Sequence, residues 1–321
     1  MTDKILKDIR PSDRCNLTTV LGPTAGGKTL LAAHLAYHLD SAVISADSRQ
    51  VYRNMDIGSG KDIDDYRING TTVPSYLLDI IDAGQKYNLY EYQKDFFSVY
   101  QNLIRDGKMP VLCGGSGLYI EAVLRNYKLL SVPVNEPLRK ELDLKSDSEL
   151  ERILSDLKKL HNSTDTDTRK RTIRAIEIEL FQQQHPLPAD KQPDISPLII
   201  GVRYDRYNQR NRITERLQQR LKNGLTEEVR SLLEKGINPD DLIYYGLEYK
   251  YVTEYIRGLY TYDEMFQRLN TAIHQFGKRQ MTWFRKMERD GHIIHWIEGE
   301  KSFEEKLEIA KLLVSRICAA D

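Results

Sequence analysis

The chain has 321 residues, 40% hydrophobic and 29% charged, with 47 basic side chains against 47 acidic ones. That length holds one large α/β domain or a core plus a smaller module, and the composition is that of a soluble globular protein. No apolar run approaches the roughly 18 residues of a membrane span, and the polar stretch from Met1 to Cys15 lacks a secretory signal. Cys15, Cys113 and Cys318 stand far apart, without zinc-site or disulfide-framework spacing, which predicts a reduced, cytoplasmic protein.

In chain order, the apolar run Leu17 to Leu21 predicts a buried strand, and Leu30 to Leu39 has helical character. Between them lies Gly22-Pro23-Thr24-Ala25-Gly26-Gly27-Lys28-Thr29, the strand–loop–helix context of a phosphate-binding P-loop. Successive backbone N–H groups and a helix N-terminus face an anion in such a loop. Lys28 adds a point charge for a terminal phosphate, and the Thr29 hydroxyl suits Mg²⁺. The motif indicates a polyphosphate ligand without choosing which.

Further strands are predicted over Ala42–Ser45, Tyr76–Ile81 and Pro110–Cys113, with helices from Lys28 and from about Leu89. The alternation predicts an α/β fold, a P-loop-containing parallel sheet with helices on both faces. Ligands then bind at the carboxyl ends of the strands, where Gly22–Thr29, Asp47-Ser48, Asp82 and Gly114-Gly115-Ser116 converge. Asp47 has two readings at that edge, a cap of the next helix or a base for a nucleophile. The turn Gly114 to Tyr119 is of a common type, yet opposite a P-loop it offers N–H groups and the Ser116 hydroxyl to a second substrate. A Mg²⁺-binding aspartate is sought after an apolar strand; Asp79, Asp82 and Asp205 are candidates, none directly following an uninterrupted apolar run.

The pattern changes after Lys128. Residues 133–168 are charged and read as two or three short helices, 185–197 form a proline-rich linker, and Leu198–Tyr204 returns to the sheet. The predicted organisation is a catalytic core in two parts, 1–128 and a mostly helical 198–321, separated by a small helical insertion domain at 129–197. From about Tyr207, Arg212, Arg216 and Arg220 share one helix face beside the apolar stripe Ile213, Leu217 and Leu221. An arginine there could neutralise a departing pyrophosphate. Arg171 and Arg174 share a face of another helix, beside Ile173, Ile176 and Leu180. Seven basic residues against two acidic ones lie between Arg203 and Lys222, and Lys278-Arg279 and Arg285-Lys286 flank Trp283 and Phe284. Such clusters are ordinarily solvated faces; in a P-loop protein they suggest contact with a polyanion.

Five runs in order, GPTAGGKT at 22–29, DSRQVYRNMDIGSGK at 47–61, GGSGLY at 114–119, RKRTIRAIE at 169–177 and KRQMTWFRK at 278–286, resemble the tRNA dimethylallyltransferases (tRNA isopentenyltransferases). The resemblance implies transfer of the dimethylallyl group from dimethylallyl diphosphate to N6 of adenosine 37 beside the tRNA anticodon. On it, Gly22, Pro23, Thr24, Ala25, Gly26, Gly27, Lys28 and Thr29 hold the diphosphate with Mg²⁺, and Lys28, Thr29 and Arg216 stabilise the departing pyrophosphate. Asp47 orients N6 and takes its proton. Asp47, Ser48, Arg49, Gln50, Ser116, Arg139, Lys170, Arg171 and Arg174 fall at the family's tRNA-contacting positions. The implied partners are the anticodon stem-loop and the prenyl diphosphate, with no membrane and a monomeric chain.

This sequence departs from the family pattern at Gly26 (usually Ser), Ser116 (usually Thr), Glu248-Tyr249 (Gly-Tyr) and Ile273-His274 (Thr-Arg). The last two pairs are expected where RNA would run. Competing readings are an adenylate isopentenyltransferase acting on free nucleotide, a P-loop kinase or NTPase, and an RNA-binding protein with a vestigial loop. The basic Arg171/Arg174 pair and the insertion favour the tRNA acceptor over a free nucleotide.

Overall fold

The computed structural model describes residues 6–158, 166, 168–185 and 192–319. Among them the chain divides into two compact units: residues to Asn126 together with those from Pro193 onward, and Tyr127–Gln192 between. The expected insertion, 129–197, therefore closes a few residues earlier, and the linker residues 186–191 lie outside the described residues.

The larger unit is built on β1 (Leu17–Leu21), β2 (Val43–Ala46), β3 (Ser75–Tyr76), β4 (Val111–Gly114), β5 (Pro197–Arg203) and β6 (Ile294–Glu298). They form one parallel sheet in the order β6-β5-β1-β4-β2-β3. Both faces are covered, which is why β1, β2 and β4 are unbroken buried runs instead of alternating ones. Register brings Leu21 opposite Gly114 and Gly201, and Gly114 opposite Ala46. The P-loop, Asp47 and the second glycine turn thus leave the sheet at one edge.

Two sequence expectations are corrected. The strand predicted over Tyr76–Ile81 stops at Tyr76, because Leu77 and Asp79 take left-handed φ of 61° and 53°. The chain there turns to bond Gln50 and Val51, and Ile81–Asp82 pairs with Tyr52–Arg53 in a separate small sheet. Asp82 consequently meets Arg53 away from the converging loops. The second correction is β6, an extra strand inside a region read as mostly helix.

Helices α1 (Lys28–His38), α2 (Leu89–Arg105) and α3 (Gly117–Leu124) follow β1, the 47–88 segment and β4. Asn88 and Glu91 close a capping box on α2, whose Tyr92, Phe96, Tyr100 and Leu103 recur at helical spacing and are buried. In the smaller unit, α4 (Glu136–Asp143), α5 (Asp147–Leu157) and α6 (Arg169–Gln184) bury Leu142, Leu150, Leu154, Ile173, Ala175 and Ile176. The larger unit continues with α7 (Arg206–Lys222), α8 (Leu225–Glu234), α9 (Pro239–Tyr244), α10 (Leu247–Ile256), the long α11 (Tyr262–Arg289) and α12 (Phe303–Cys318).

Cys15 and Cys318, expected to be reduced and remote, are joined in a disulfide with Cα atoms 5.0 Å apart across 303 residues of sequence. Both are buried in the cluster where α12 packs on α1. Cys113 stays a free, buried thiol, and burial pushes it up to about 12.

The smaller unit is organised around one buried carboxylate. Glu177 accepts from Arg139 Nε and Nη2 (3.1 and 2.8 Å), from Arg174, and from the Asn135 N–H (2.6 Å). Burial would raise its pKa, but these donors overcome that effect and hold it below the usual carboxylate range. Its stabilisation is therefore present above the ordinary glutamate pKa and fades as acid approaches the lowered one. Glu177→Ala leaves two arginines without their partner and should destabilise this unit by about 2–3 kcal/mol. Hydrogen exchange should then quicken in α4, α5 and α6 while the amides of β1 and β4 keep their protection.

Candidate active site

The P-loop leaves β1 at Gly22, where a side chain would meet the Val202 carbonyl, and Gly27 takes φ 70° at the N-cap of α1. Its carbonyls are turned away from any anion by named donors. Lys28 Nζ donates to Pro23 O (3.3 Å), Gln209 Nε2 to Thr24 O (2.6 Å) and Arg212 Nε to Ala25 O (3.0 Å). Gln280 Oε1 accepts the Thr24 N–H at 2.8 Å. Burial pushes the Lys28 ammonium below its usual range; Arg216 and Arg220 add to that, while Cys113 and Asp47 oppose it. A desolvated cation among other cations is a site short of negative charge.

The loop faces a cleft of about 420 Å³ shared by Gly26, Lys28, Thr29, Asp62, Asp65 and Arg216. Arg216 Nη2 bonds Asp62 Oδ2 at 2.5 Å. Asp65 is pushed up to about 6, first by burial, then by the Asp62 charge, against the pull of Arg216. Arg216, expected at the departing pyrophosphate, lines this cleft. Sequence reasoning missed Asp62 and Asp65, just past the recognised 47–61 block, the first the N-cap and the second a member of a short 3-10 turn at Ile63–Tyr66.

Asp47 follows β2, and its Oδ1 accepts the Arg49 N–H at 2.9 Å. It caps a turn, not a helix, and among the described residues its Oδ2 bonds nothing. Behind it the 47–61 block is anchored by interior polar contacts. Glu228 accepts the N–H groups of Asp56, Ile57 and Gly58 (2.8, 2.7 and 3.0 Å) and the Tyr249 hydroxyl (2.8 Å). Buried Lys61 donates to Tyr52 O and pairs with Asp56 and Asp79.

Other sequence candidates divide by surroundings. Ser48 is half-buried at the strand end, Arg49 lies over the exposed Tyr244 ring (5.5 Å), and Ser116 is the N-cap of α3 with no side-chain capping bond. Gln50 instead serves the interior, accepting from Ser45 Oγ and donating to Gly60 O. Lys170 and Arg171 are exposed at the start of α6, whereas Arg139 and Arg174 are held by Glu177. Asp79, paired with Lys61, and Asp205, the N-cap of α7, are not available to a metal at the loop. Arg220 is buried against Glu248 (3.4 Å), so Glu248 and the buried Ile273 face the interior and not a passing RNA. His274 bonds Thr214 at 3.2 Å.

Beside Pro23 lies a second cavity of about 490 Å³ with Arg203, Arg206, Arg210, Lys278 and Arg285 on its walls and Tyr204 and Trp296 between them. Its acidic member, Glu288, accepts from Trp296 Nε1 (2.8 Å), and Arg203 stacks over the Trp296 ring at 5.4 Å. Five cations around two aromatic rings form an electropositive groove despite the zero net charge.

Asp65 gives a pH prediction. Its folded pKa is raised, so the fold favours the protonated acid and loses stability as pH climbs from the ordinary aspartate pKa through about 6. Asp65→Asn should have a higher urea midpoint than the parent at pH 7.5 and the same midpoint near pH 4.

The family pattern of the IPP transferases matches residues 50–287. tRNA dimethylallyltransferase 2 of Bacteroides fragilis is 57% identical over 296 residues, 92% of this chain and 97% of that protein. tRNA dimethylallyltransferase 1 of Parabacteroides distasonis is 55% identical over 291 residues, 91% of this chain and 95% of that one. The crystal structure of the tRNA isopentenylpyrophosphate transferase from Bacillus halodurans matches with a TM-score of 0.68 and 29% identity, covering 94% of this chain and 96% of that one. A eukaryotic dimethylallyltransferase solved acting on tRNA shares the fold, with a TM-score of 0.76 at 17% identity over 94% of this chain and 80% of that one. With its phosphate loop, facing carboxylate and matched length, the chain belongs to the IPP transferase family of tRNA dimethylallyltransferases.

Proposed function

We propose that this chain transfers the dimethylallyl group of dimethylallyl diphosphate to N6 of adenosine 37 in the anticodon stem-loop of tRNA, releasing pyrophosphate. One observation carries the reading: the desolvated Lys28 loop and the Asp47 carboxylate leave β1 and β2, the strands on either side of β4, at one edge of the sheet. A donor diphosphate and an acceptor amine can meet between them. The adenine must be turned out of its stack to reach this cleft, a cost lowest in an unpaired loop.

In the step, the N6 lone pair bonds to the allylic carbon, the carbon–oxygen bond breaks, and its electron pair leaves with pyrophosphate. Positive charge grows on the allyl group and negative charge on the leaving oxygen. Lys28 and the N–H groups at the start of α1 are placed for the second of these. Arg216 would move from Asp62 to the diphosphate. Asp47, with Oδ2 uncommitted, orients N6 and accepts its proton. Thr29, Asp62 and Asp65 line one cleft, and their oxygens would hold Mg²⁺. Bound there, the ion would neutralise charge on the diphosphate.

The groove of Arg203, Arg206, Arg210, Lys278 and Arg285 supports a phosphate backbone as the acceptor's other half. Exposed Lys170 and Arg171 are proposed as further RNA contacts, while Arg139 ties α4 to Glu177 of α6 and Arg174 donates to Glu177 and to Val132 O. The cytoplasm is the proposed setting, and among the described residues no helix is long and apolar enough to cross a membrane.

Transfer of label from dimethylallyl diphosphate to an anticodon stem-loop with adenosine at position 37, compared with AMP, tests the reaction. Preference for AMP would reverse the acceptor, and ATP turnover without prenyl transfer would point to an NTPase. Asp47→Ala should lower turnover by about 10²–10⁴-fold with diphosphate affinity little changed; near-normal turnover would reduce Asp47 to a turn cap. Removing Arg206 and Lys278 together should weaken stem-loop binding and shallow the salt dependence by about 1–2 in log–log slope. An unchanged slope would place the RNA elsewhere.

A further inference from the structure

The buried stripe of α11 is Met265, Leu269, Ile273, Gly277, Gln280, Phe284 and Met287, and Gln280 is its polar member. A primary amide in an apolar stripe is costly unless both ends are satisfied. Here they are, by two different loops. Oε1 accepts the Thr24 N–H of the P-loop at 2.8 Å, and Nε2 donates to Gly115 O of the second glycine turn at 2.9 Å. Gly115 is glycine for the same reason: a Cβ there would sit 2.4 Å from Gln280 Nε2.

We infer that Gln280 is a positioning residue for the prenyl transfer, a single amide that sets the distance between the donor's phosphate loop and the Gly115–Ser116 turn on the acceptor side. This rests on the proposed function and specifies how its two half-sites are kept in register. The two loops leave neighbouring strands, but nothing in the sheet constrains them beyond Leu21 and Gly114. Gln280 spans that unconstrained gap from a 28-residue helix whose remaining stripe is anchored in the core. Its bond to Gly115 also turns that carbonyl dipole toward α11, so the lone pairs do not oppose a diphosphate. Gln209 differs: it holds Thr24 O from α7, and among the described residues its side-chain amide bonds the P-loop alone.

The two glutamines should therefore fail in different ways. Gln280→Met keeps length and apolar fit but loses both bonds. Lys28, Thr29 and the first-turn N–H groups remain, so pyrophosphate affinity by calorimetry should change by no more than about threefold, while kcat at saturating donor and stem-loop falls about 100-fold from misplacement of the reacting groups. Gln209→Leu should show the opposite balance, with weaker pyrophosphate binding and a smaller loss in kcat. Gln280→Glu keeps the acceptor for Thr24 and loses the donor to Gly115; it should share the kcat loss, and it serves if the methionine variant folds poorly. Hydrogen exchange should quicken at both 24–27 and 115–117 in Gln280→Met, but only at 24–27 in Gln209→Leu.

Wild-type kcat in both Gln280 variants would overturn the inference. So would a kcat loss matched by an equal loss of pyrophosphate affinity, or the same exchange pattern in both glutamine variants. A wild-type chain that transfers no prenyl group would instead refute the proposed reaction, and the exchange patterns would still decide whether Gln280 joins the two loops.

Discussion

A loop that binds an anion must present its N–H groups and turn its carbonyls away, and a glycine-rich loop has little intrinsic reason to do either. In this chain three successive carbonyls, of Pro23, Thr24 and Ala25, are each held by a side-chain donor: Lys28, Gln209 and Arg212. Two of those donors come from α7, nearly two hundred residues away. The site is therefore not a property of the P-loop alone. It exists because α7 and α11 close over the carboxyl edge of the sheet, and their packing keeps the loop's dipoles directed into the cleft before any ligand arrives.

The same logic explains the long block at 47–61. Only its first residues approach the cleft; the remainder is occupied with holding itself in place. Gln50 bonds Ser45 and Gly60, Lys61 is buried between Asp56 and Asp79, and Glu228 collects three consecutive N–H groups. A segment without regular structure has many backbone groups to satisfy, and buried polar side chains satisfy them here. The identity of these residues thus reflects scaffolding as much as substrate contact, with the half-buried Asp47 at the cleft end of a rigid support.

Charge follows a similar division. Zero net charge conceals a groove near the phosphate loop with five cations against one acid, Glu288. Conversely, two arginines that resemble RNA contacts, Arg139 and Arg174, are committed to Glu177 in the core of the smaller unit. Basic spacing on a helix face does not distinguish an arginine that meets a ligand from one that meets a buried carboxylate. Arg216 and Arg220, one turn apart on α7, show both outcomes: the first lines the cleft, the second is buried against Glu248.

Local spacing in the sequence determined the buried strands, the P-loop at the head of α1, the apolar stripes of α6 and α7, and the existence of an inserted helical unit. Each of these depends on neighbours within a few residues, so periodicity and capping suffice to read them. The family motifs carried the chemistry further, to Asp47 opposite Lys28. Only the tertiary structure decided that the Tyr76–Ile81 run breaks at two left-handed residues, that Ile294–Glu298 joins the sheet edge, and that Cys15 meets Cys318. It alone placed Asp62 and Asp65 at the phosphate loop and gave Gln280 two loops to hold. Those outcomes are contacts between segments up to 303 residues apart, created by the crossovers of a parallel sheet, and no local pattern encodes which distant backbone group a buried side chain will find.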